Sequence, residues 1–380
     1  NSNISEQSVV FWNSMICGFL EFGTFSGPFQ LSQQMVCQGT LPTPVTYATL
    51  FATCANTLVL DEGLRLHSGI SGGPLEANTV VGNAIIHMYG KCGALQKAQE
   101  VFDKIPIRDV VSWNALIAGY SQWGQAEDAL NKFFRMQSDG FSPNRITFFC
   151  ILKACSSRGV LDIGKQLHEF IVLKGLLEKH STLGNALVHM YMKCGSIEEA
   201  CCIFHKKQCN KNVVSWGVMI SGCIEHGLVL KALWLFEHMM NKVGITPDQA
   251  IFLSILRACG QIEDIVSGKL IHVMIVEFMI GVEIVITNCL IDMYAKCGSI
   301  MDAENLFNSL QHKDIVSWGA LIGGHALQGN THVAILRFKE MQLQGMKPNK
   351  MIMLNVLKAC GGSGGINIVE VRSIHDQIIR

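Results

Sequence analysis

The chain has 380 residues, 49% hydrophobic and 16% charged, with 30 Lys+Arg against 30 Asp+Glu. That apolar share supplies a buried core and excludes a disordered chain. The zero net charge excludes a nucleic-acid binder that works by bulk electrostatics, so any such role rests on locally placed residues.

The 15 cysteines sit in apolar contexts, with no Cys-x-x-Cys pair and no Cys/His cluster at zinc spacing. They read as buried thiols in a reducing compartment, with no metal and no cofactor. The most apolar stretch, Leu270 to Ile286, is interrupted by His272, Glu277 and Glu283, so no membrane span is expected. The chain starts at Asn1 and ends at Arg380 in mid-pattern, and reads as a piece of a longer protein without its targeting segment.

Three sequence blocks recur in one phase. Val-Phe-Trp ends at Trp12 and Val-Ser-Trp ends at Trp113, Trp216 and Trp318, giving spacings of 101, 103 and 102. Met-Tyr-x-Lys-Cys-Gly begins at Met88, Met190 and Met293, and Leu-Lys/Arg-Ala-Cys ends at Cys155, Cys259 and Cys360. Each long period holds three helical hairpins. In chain order, residues 1–8 read as the tail of a preceding short repeat, followed by repeats at 9–43, 44–78, 79–109, 110–144, 145–180, 181–212, 213–248, 249–283, 284–314 and 315–349, and a truncated one at 350–380.

The repeat at 110–144 shows the pattern. Val111 to Tyr120 reads as a first helix and Ala126 to Met136 as a second, with Gly124 in the turn, Gly140 at the C-terminal cap and Pro143 preventing continuation. Leu130, Phe133, Phe134 and Met136 are expected to pack on the first helix and on the next repeat. One hairpin cannot bury its own faces, whereas a stack can, so an all-α solenoid follows.

Val-Val-Ser-Trp-Asn-Ala-Leu-Ile from Val110, Ser-Pro-Asn at Ser142 to Asn144, and Asn-Ala-Leu-Val-His-Met-Tyr-Met-Lys-Cys-Gly from Asn185 resemble pentatricopeptide repeats. The lengths resemble the plant PLS class, which alternates canonical (P), long (L) and short (S) repeats. The P repeats would then start at Val9, Val110, Val213 and Ile315. The L repeats would start at Pro44, Arg145, Gln249 and Lys350, and the S repeats at Thr79, Ser181 and Ile284. The resemblance implies a right-handed α-solenoid superhelix that binds single-stranded RNA, one nucleotide per repeat, in a mitochondrion or chloroplast. It implies base reading by the fifth residue of a repeat together with its last, a code for which this family is a standard example.

Carried over by position, the P repeats pair Asn13 with Thr43, Asn114 with Asn144, Gly217 with Asp248 and Gly319 with Asn349. The S repeats pair Asn83 with Asp109, Asn185 with Asn212 and Asn288 with Asp314. By the family's code Asn with Asp favours uracil and Asn with Asn favours pyrimidines, so the target leans to pyrimidines. Gly217 and Gly319 offer a base no side chain. Ala48, Phe149, Leu253 and Leu354 of the L repeats are poor readers, expected to contribute shape more than sequence.

The second residues, Val10, Val45, Val80, Val111, Ile146, Val214, Val285 and Val316, would sandwich the bases; the bland reading is core packing. Lys91, Lys193 and Lys296 would contact phosphate, or else sit as favourable cations at helix C-termini. Many plant relatives carry a cytidine deaminase, whose chemistry needs His-x-Glu and Pro-Cys-x-x-Cys. Neither occurs, and His168-Glu169 and Cys201-Cys202 have the wrong spacing, so no enzyme activity is expected of these residues. The function expected is site recognition for organellar C-to-U editing, with editing cofactor proteins or a deaminase in trans as further partners. Transcript processing or stabilisation, and a protein-binding scaffold, are the alternatives.

Overall fold

Most repeats among the described residues open where a polar side chain caps a helix. The computed structural model describes residues 2–21, 26–179, 181–206, 212–278 and 284–361. Among them, first helices begin at Pro44, Thr79, Val110, Arg145, Ser181, Val213, Gln249, Ile284, Ile315 and Lys350. The residue before eight of these starts, in turn Thr43, Asn78, Asp109, Asn144, Asn212, Asp248, Asp314 and Asn349, accepts a hydrogen bond on its side chain from a backbone N–H of the helix it precedes. Each bond satisfies one of the four N–H groups that a helix start leaves without a partner. His180 and Glu283, which precede the remaining two starts, lie outside the described residues. The first helix of all runs Ser2–Glu21, so residues 2–8 are continuous with the helix of the repeat at Val9.

The second helices, from Ser26–Cys37 to Thr331–Leu343, are entered through tight turns. Two of these show the geometry: Gly124 at φ +73° and Gly298 at φ +80° take the left-handed conformation that glycine adopts without cost. The described residues hold no β-strand, and no helix among them is long and apolar enough to cross a membrane.

The chain forms two bodies, Asn1–Cys209 and Asn210–Arg380. In the first, the helices Pro44–Thr57, Thr79–Lys91, Val110–Gln122, Arg145–Arg158 and Ser181–Lys193 pack in sequence. In the second, Val213–Glu225, Gln249–Ile262, Ile284–Lys296, Ile315–Leu327 and Lys350–Gly361 do the same. Within each body, second helices pack on their own first helix and on that of the next repeat, so the core lies along the seams. Trp113 is wholly buried with its ring 4.6 Å from Phe102 of the preceding repeat, and Trp318 meets Phe307 in the same way at 4.7 Å.

The Met-Tyr block joins the repeats at Thr79, Ser181 and Ile284 to the repeats before them. Tyr89, Tyr191 and Tyr294 bond His67, His168 and His272 through their hydroxyls at 2.9, 3.0 and 2.9 Å. Burial lowers the pKa of all three histidines, which keeps them neutral at pH 7. Met88 and Met190 occupy space left by Gly63 and Gly164, where an added Cβ would stand 2.6 and 2.5 Å from sulfur.

Two expectations need correction. Phe134 is 47% exposed, while Leu130, Phe133 and Met136 are buried: Phe134 turns away from the seam by one helical step from Phe133. Cys17, Cys37 and Cys202 are exposed, although Cys54, Cys155 and Cys259 are buried with thiols pushed up to about 12, chiefly by burial.

Trp113→Ala is therefore expected to weaken its seam by about 3–5 kcal/mol. Phe134→Ala is expected to cost about 0.5 kcal/mol or less. Urea unfolding followed by circular dichroism checks both; equal losses would contradict this packing.

Candidate nucleic-acid interface

The second and fifth residues of a first helix stand three apart and share a face, with the ninth and thirteenth continuing the same stripe. In the repeat at Thr79 this stripe is Val80, Asn83, His87 and Lys91; in the repeat at Ile284 it is Val285, Asn288, Asp292 and Lys296. The third and fourth residues turn inward. The tripeptide Val-Ser-Trp is thus divided between two environments: Val111 is 57% exposed, while Ser112 and Trp113 are fully buried. Val10, Val45, Val80, Ile146, Val214, Val285 and Val316 are exposed as well, none below 50%.

Beside this row, the fifth residue of a repeat bonds the residue that closes it. Asn83 Nδ2 donates to Asp109 Oδ1 and Asn288 Nδ2 to Asp314 Oδ1, each at 3.1 Å. Asn114 Nδ2 donates to Asn144 Oδ1 at 3.2 Å and Asn13 Nδ2 to Thr43 Oγ1 at 3.3 Å. Four of the seven sequence-derived pairs are therefore joined directly. In a fifth, Asn185 is half-buried and belongs to the first body, while Asn212 belongs to the second, where it caps the helix Val213–Glu225 through Ser215 N at 3.0 Å.

The two Asp residues are held as carboxylates. Burial opposes ionisation of Asp109, but hydrogen bonds from Ser112 backbone and hydroxyl, from the Asn83 amide and from Val111 N outweigh it and hold the carboxyl below its ordinary value. Asp314 is held in the same way by Ser317, Asn288 and Val316. The hydrogen bonds to both side chains all end on Oδ1.

The two glycine pairs differ. Without a side chain at Gly217, a concavity of about 250 Å³ remains, lined by Val214, Gly217, Asp248 and Ile251 among others. Asp248 and Asn349 act as helix caps there, bonding Ile251 N and Ile352 N at 2.9 and 3.0 Å. In the repeats starting at Pro44, Arg145, Gln249 and Lys350, Phe149 and Leu354 are exposed, and Ala48 and Leu253 are half-buried.

The lysines are unequal. Lys91 lines a concavity of about 230 Å³ together with His87, Gln122, Phe149 and Lys153. Lys193 is exposed. Lys296 is paired with Asp292 one turn earlier, at 2.6 Å, which spends part of its charge within the helix.

A family model described as PPR repeat family matches residues 108–157, and one described as PPR repeat matches residues 83–110, 185–210, 214–242, 285–315 and 316–346. Together they take in just over half of the chain. It belongs to the pentatricopeptide repeat family.

Its relatives include the pentatricopeptide repeat-containing protein At5g27110 of Arabidopsis thaliana, 34% identical over 363 residues, covering 95% of this chain and 52% of that protein. Another is At2g03380 of the same plant, mitochondrial by name, 31% identical over 368 residues, covering 96% of this chain and 53% of that protein. The chain thus spans about half the length of these relatives. Among solved structures, the pentatricopeptide repeat protein PPR10 in complex with an 18-nt psaJ RNA element superposes with a TM-score of 0.73 at 19% identity, over 92% of this chain and 52% of that one. PPR10 from maize superposes at 0.68 and 17%, over 92% and 55%. These likenesses establish the all-α helical-repeat solenoid fold.

Within this pentatricopeptide array, sequence reasoning missed Lys153, because it stands in a long repeat and reaches the Lys91 concavity only once helices pack. It also missed the buried third residues, Thr46, Ser112, Thr147 and Ser317, whose hydroxyls bond the pairs of fifth and closing residues. A signal was present, since Thr or Ser stands there whenever the preceding fifth residue is Asn. His168 is spent on Tyr191, and no group of three or more His, Cys, Asp or Glu among the described residues could hold a metal ion.

The closing residue serves as cap and partner at once. Asp109→Ala is expected to cost about 0.5–2 kcal/mol in thermal or urea unfolding, while Asp109→Asn keeps most of the cap. Because the folded carboxyl titrates below its ordinary value of 3.8, its contribution is present above that pH and disappears as pH falls through the lower folded value. The gap between wild type and Asp109→Ala should therefore narrow on acidification below about 4; a gap that widened would contradict the assignment.

Proposed function

We propose that this chain binds single-stranded RNA in a sequence-selective manner, with the exposed second residues enclosing bases and the fifth and closing residues reading them. One observation carries the proposal: eight apolar second residues lie exposed beside the fifth-position amides, of which Asn13, Asn83 and Asn185 are half-buried and Asn114 and Asn288 buried. Core packing would bury the second residues. A row of flat, apolar surfaces with a hydrogen-bonding pair beside each is what an unstacked base requires. The solved complex of PPR10 with an RNA element, which shares the fold, supports the same partner.

The pairs Asn83–Asp109 and Asn288–Asp314 suit uracil. Each carboxylate keeps Oδ2 outside its internal bonds as an acceptor for the ring N–H, and each Asn Nδ2 keeps a second hydrogen for a base carbonyl. Asn114–Asn144, Asn185–Asn212 and Asn13–Thr43 are assigned to pyrimidines, following the family's code. Gly217–Asp248 and Gly319–Asn349 read by the closing residue alone. Lys91, Lys193 and Lys296 contact phosphate, Lys296 most weakly. The long, long, short succession supports the PLS class, and with it a role as a site-recognition factor for C-to-U editing. Relatives that are mitochondrial by name support an organellar location.

Filter binding with a pyrimidine-rich and a purine-rich single strand tests this reading. The pyrimidine strand should bind more tightly, with a slope of log affinity against log salt of about −2 for three phosphate contacts. Asn83→Ala should weaken the pyrimidine strand by about 1 kcal/mol. Equal, weak retention of both strands would overturn the reading.

A further inference from the structure

Beside each of the four directly joined pairs lies the third residue of the following repeat, Thr46, Ser112, Thr147 or Ser317, which is fully buried and cannot touch RNA. We propose that this third residue is a specificity-determining positioning residue: its side chain sets how firmly the reading amide is held, and therefore how sharply that repeat discriminates among bases. The proposal rests on the base-reading role above.

At Asn114 and Asn13 the amide is pinned at both ends. Thr147 Oγ1 accepts from Asn144 N at 3.1 Å, and its single proton goes to Asn114 Oδ1 at 2.6 Å, against 3.2 Å to Asn144 Oδ1. Thr46 Oγ1 likewise accepts from Thr43 N at 3.0 Å and donates to Asn13 Oδ1 at 2.7 Å. Turning the Asn114 amide over would set its oxygen against Asn144 Oδ1, acceptor against acceptor. The amide therefore presents one fixed face.

At Asn83 and Asn288 only one end is held. The closing residue is an aspartate, and it takes the third residue's proton: Ser112 Oγ donates to Asp109 Oδ1 at 3.0 Å, and Ser317 Oγ to Asp314, at 2.9 Å from its backbone O and 3.0 Å from Oδ1. Asn83 Oδ1 and Asn288 Oδ1 are left buried without a hydrogen-bond partner. A buried acceptor in that state costs about as much as the hydrogen bond it lacks, so these amides gain by shifting toward any donor an RNA base brings. There the carboxylate, fixed by its own hydrogen bonds, carries the discrimination and the amide adapts to it.

The glycine repeats follow the same rule. Where the fifth residue is Gly217 or Gly319, the third residue of the next repeat is Ile251 or Ile352. A Cβ built on either glycine would stand 3.4 Å from the isoleucine Cγ1. Third residues thus match the side chain they face: hydroxyl against carboxamide, alkyl against none.

The test is selection from a random-sequence single-stranded RNA pool by the 380-residue chain, scored as base frequencies at each aligned position. Asn114→Ala marks the nucleotide read by its repeat. Thr147→Val should reduce preference at that same nucleotide by about fivefold and leave other positions unchanged, while Thr147→Ser should retain it. If Asn114→Ala relaxes the preference and folded Thr147→Val does not, the positioning role is overturned and base reading stands. If Asn114→Ala changes nothing, both fall. A gain-of-function pair covers the case in which Thr147→Val fails to fold. Gly319→Asn with Ile352→Thr, which rebuilds the Asn114, Asn144 and Thr147 set around the neutral Asn349, should acquire a base preference that Gly319→Asn alone lacks, and equal profiles of the two would overturn the proposal.

Discussion

The junction between repeats depends on a single side chain that caps a helix. A first helix whose start lies in a packed seam cannot leave its N–H groups to water, so the preceding residue has to offer an oxygen. Thr43, Asp109, Asn144 and Asp314 do so, and the same oxygens accept from the fifth-position Asn of the repeat just ended. The cap locates the pair of fifth and closing residues. Stability of the stack and geometry of the site therefore share atoms, and neither can be altered without the other.

From that anchor the remainder follows by helical geometry. A fixed start sends the second, fifth, ninth and thirteenth residues to one face and the fourth into the seam. Trp113 and Trp318 hold the helix against its predecessor, while Val111 and Val316, two residues earlier, remain in solvent. Rigidity beneath and apolar surface above are products of one short motif. With a net charge of zero, the chain has few cations to spend, and Lys91 and Lys153 sharing one concavity make the most of them.

Much of this was legible in the residues. Phase-locked Val-Ser-Trp and Met-Tyr-x-Lys-Cys-Gly blocks gave the hairpin array, because periodic apolar residues and glycine turns are local signals. Asn83 with Asp109, 26 residues apart, could be paired only through a family resemblance, since no local pattern joins them. Exposure was less legible: Val80 and Phe134 have the composition of core residues, and only the packed seam shows which way each points. Least legible were the hydroxyls of Thr147 and Ser112. Their targets differ because one faces a neutral closing residue and the other a carboxylate, a distinction of hydrogen-bond accounting rather than of residue type.

The central claim is that bases lie on the first-helix face between successive second residues. A structure of the chain bound to a pyrimidine-rich single strand tests it most directly. The account predicts a base enclosed between Val80 and Val111, its edge within hydrogen-bond distance of Asn83 and Asp109. RNA lying along the second helices, with Val80, Asn83 and Asp109 untouched, would contradict it.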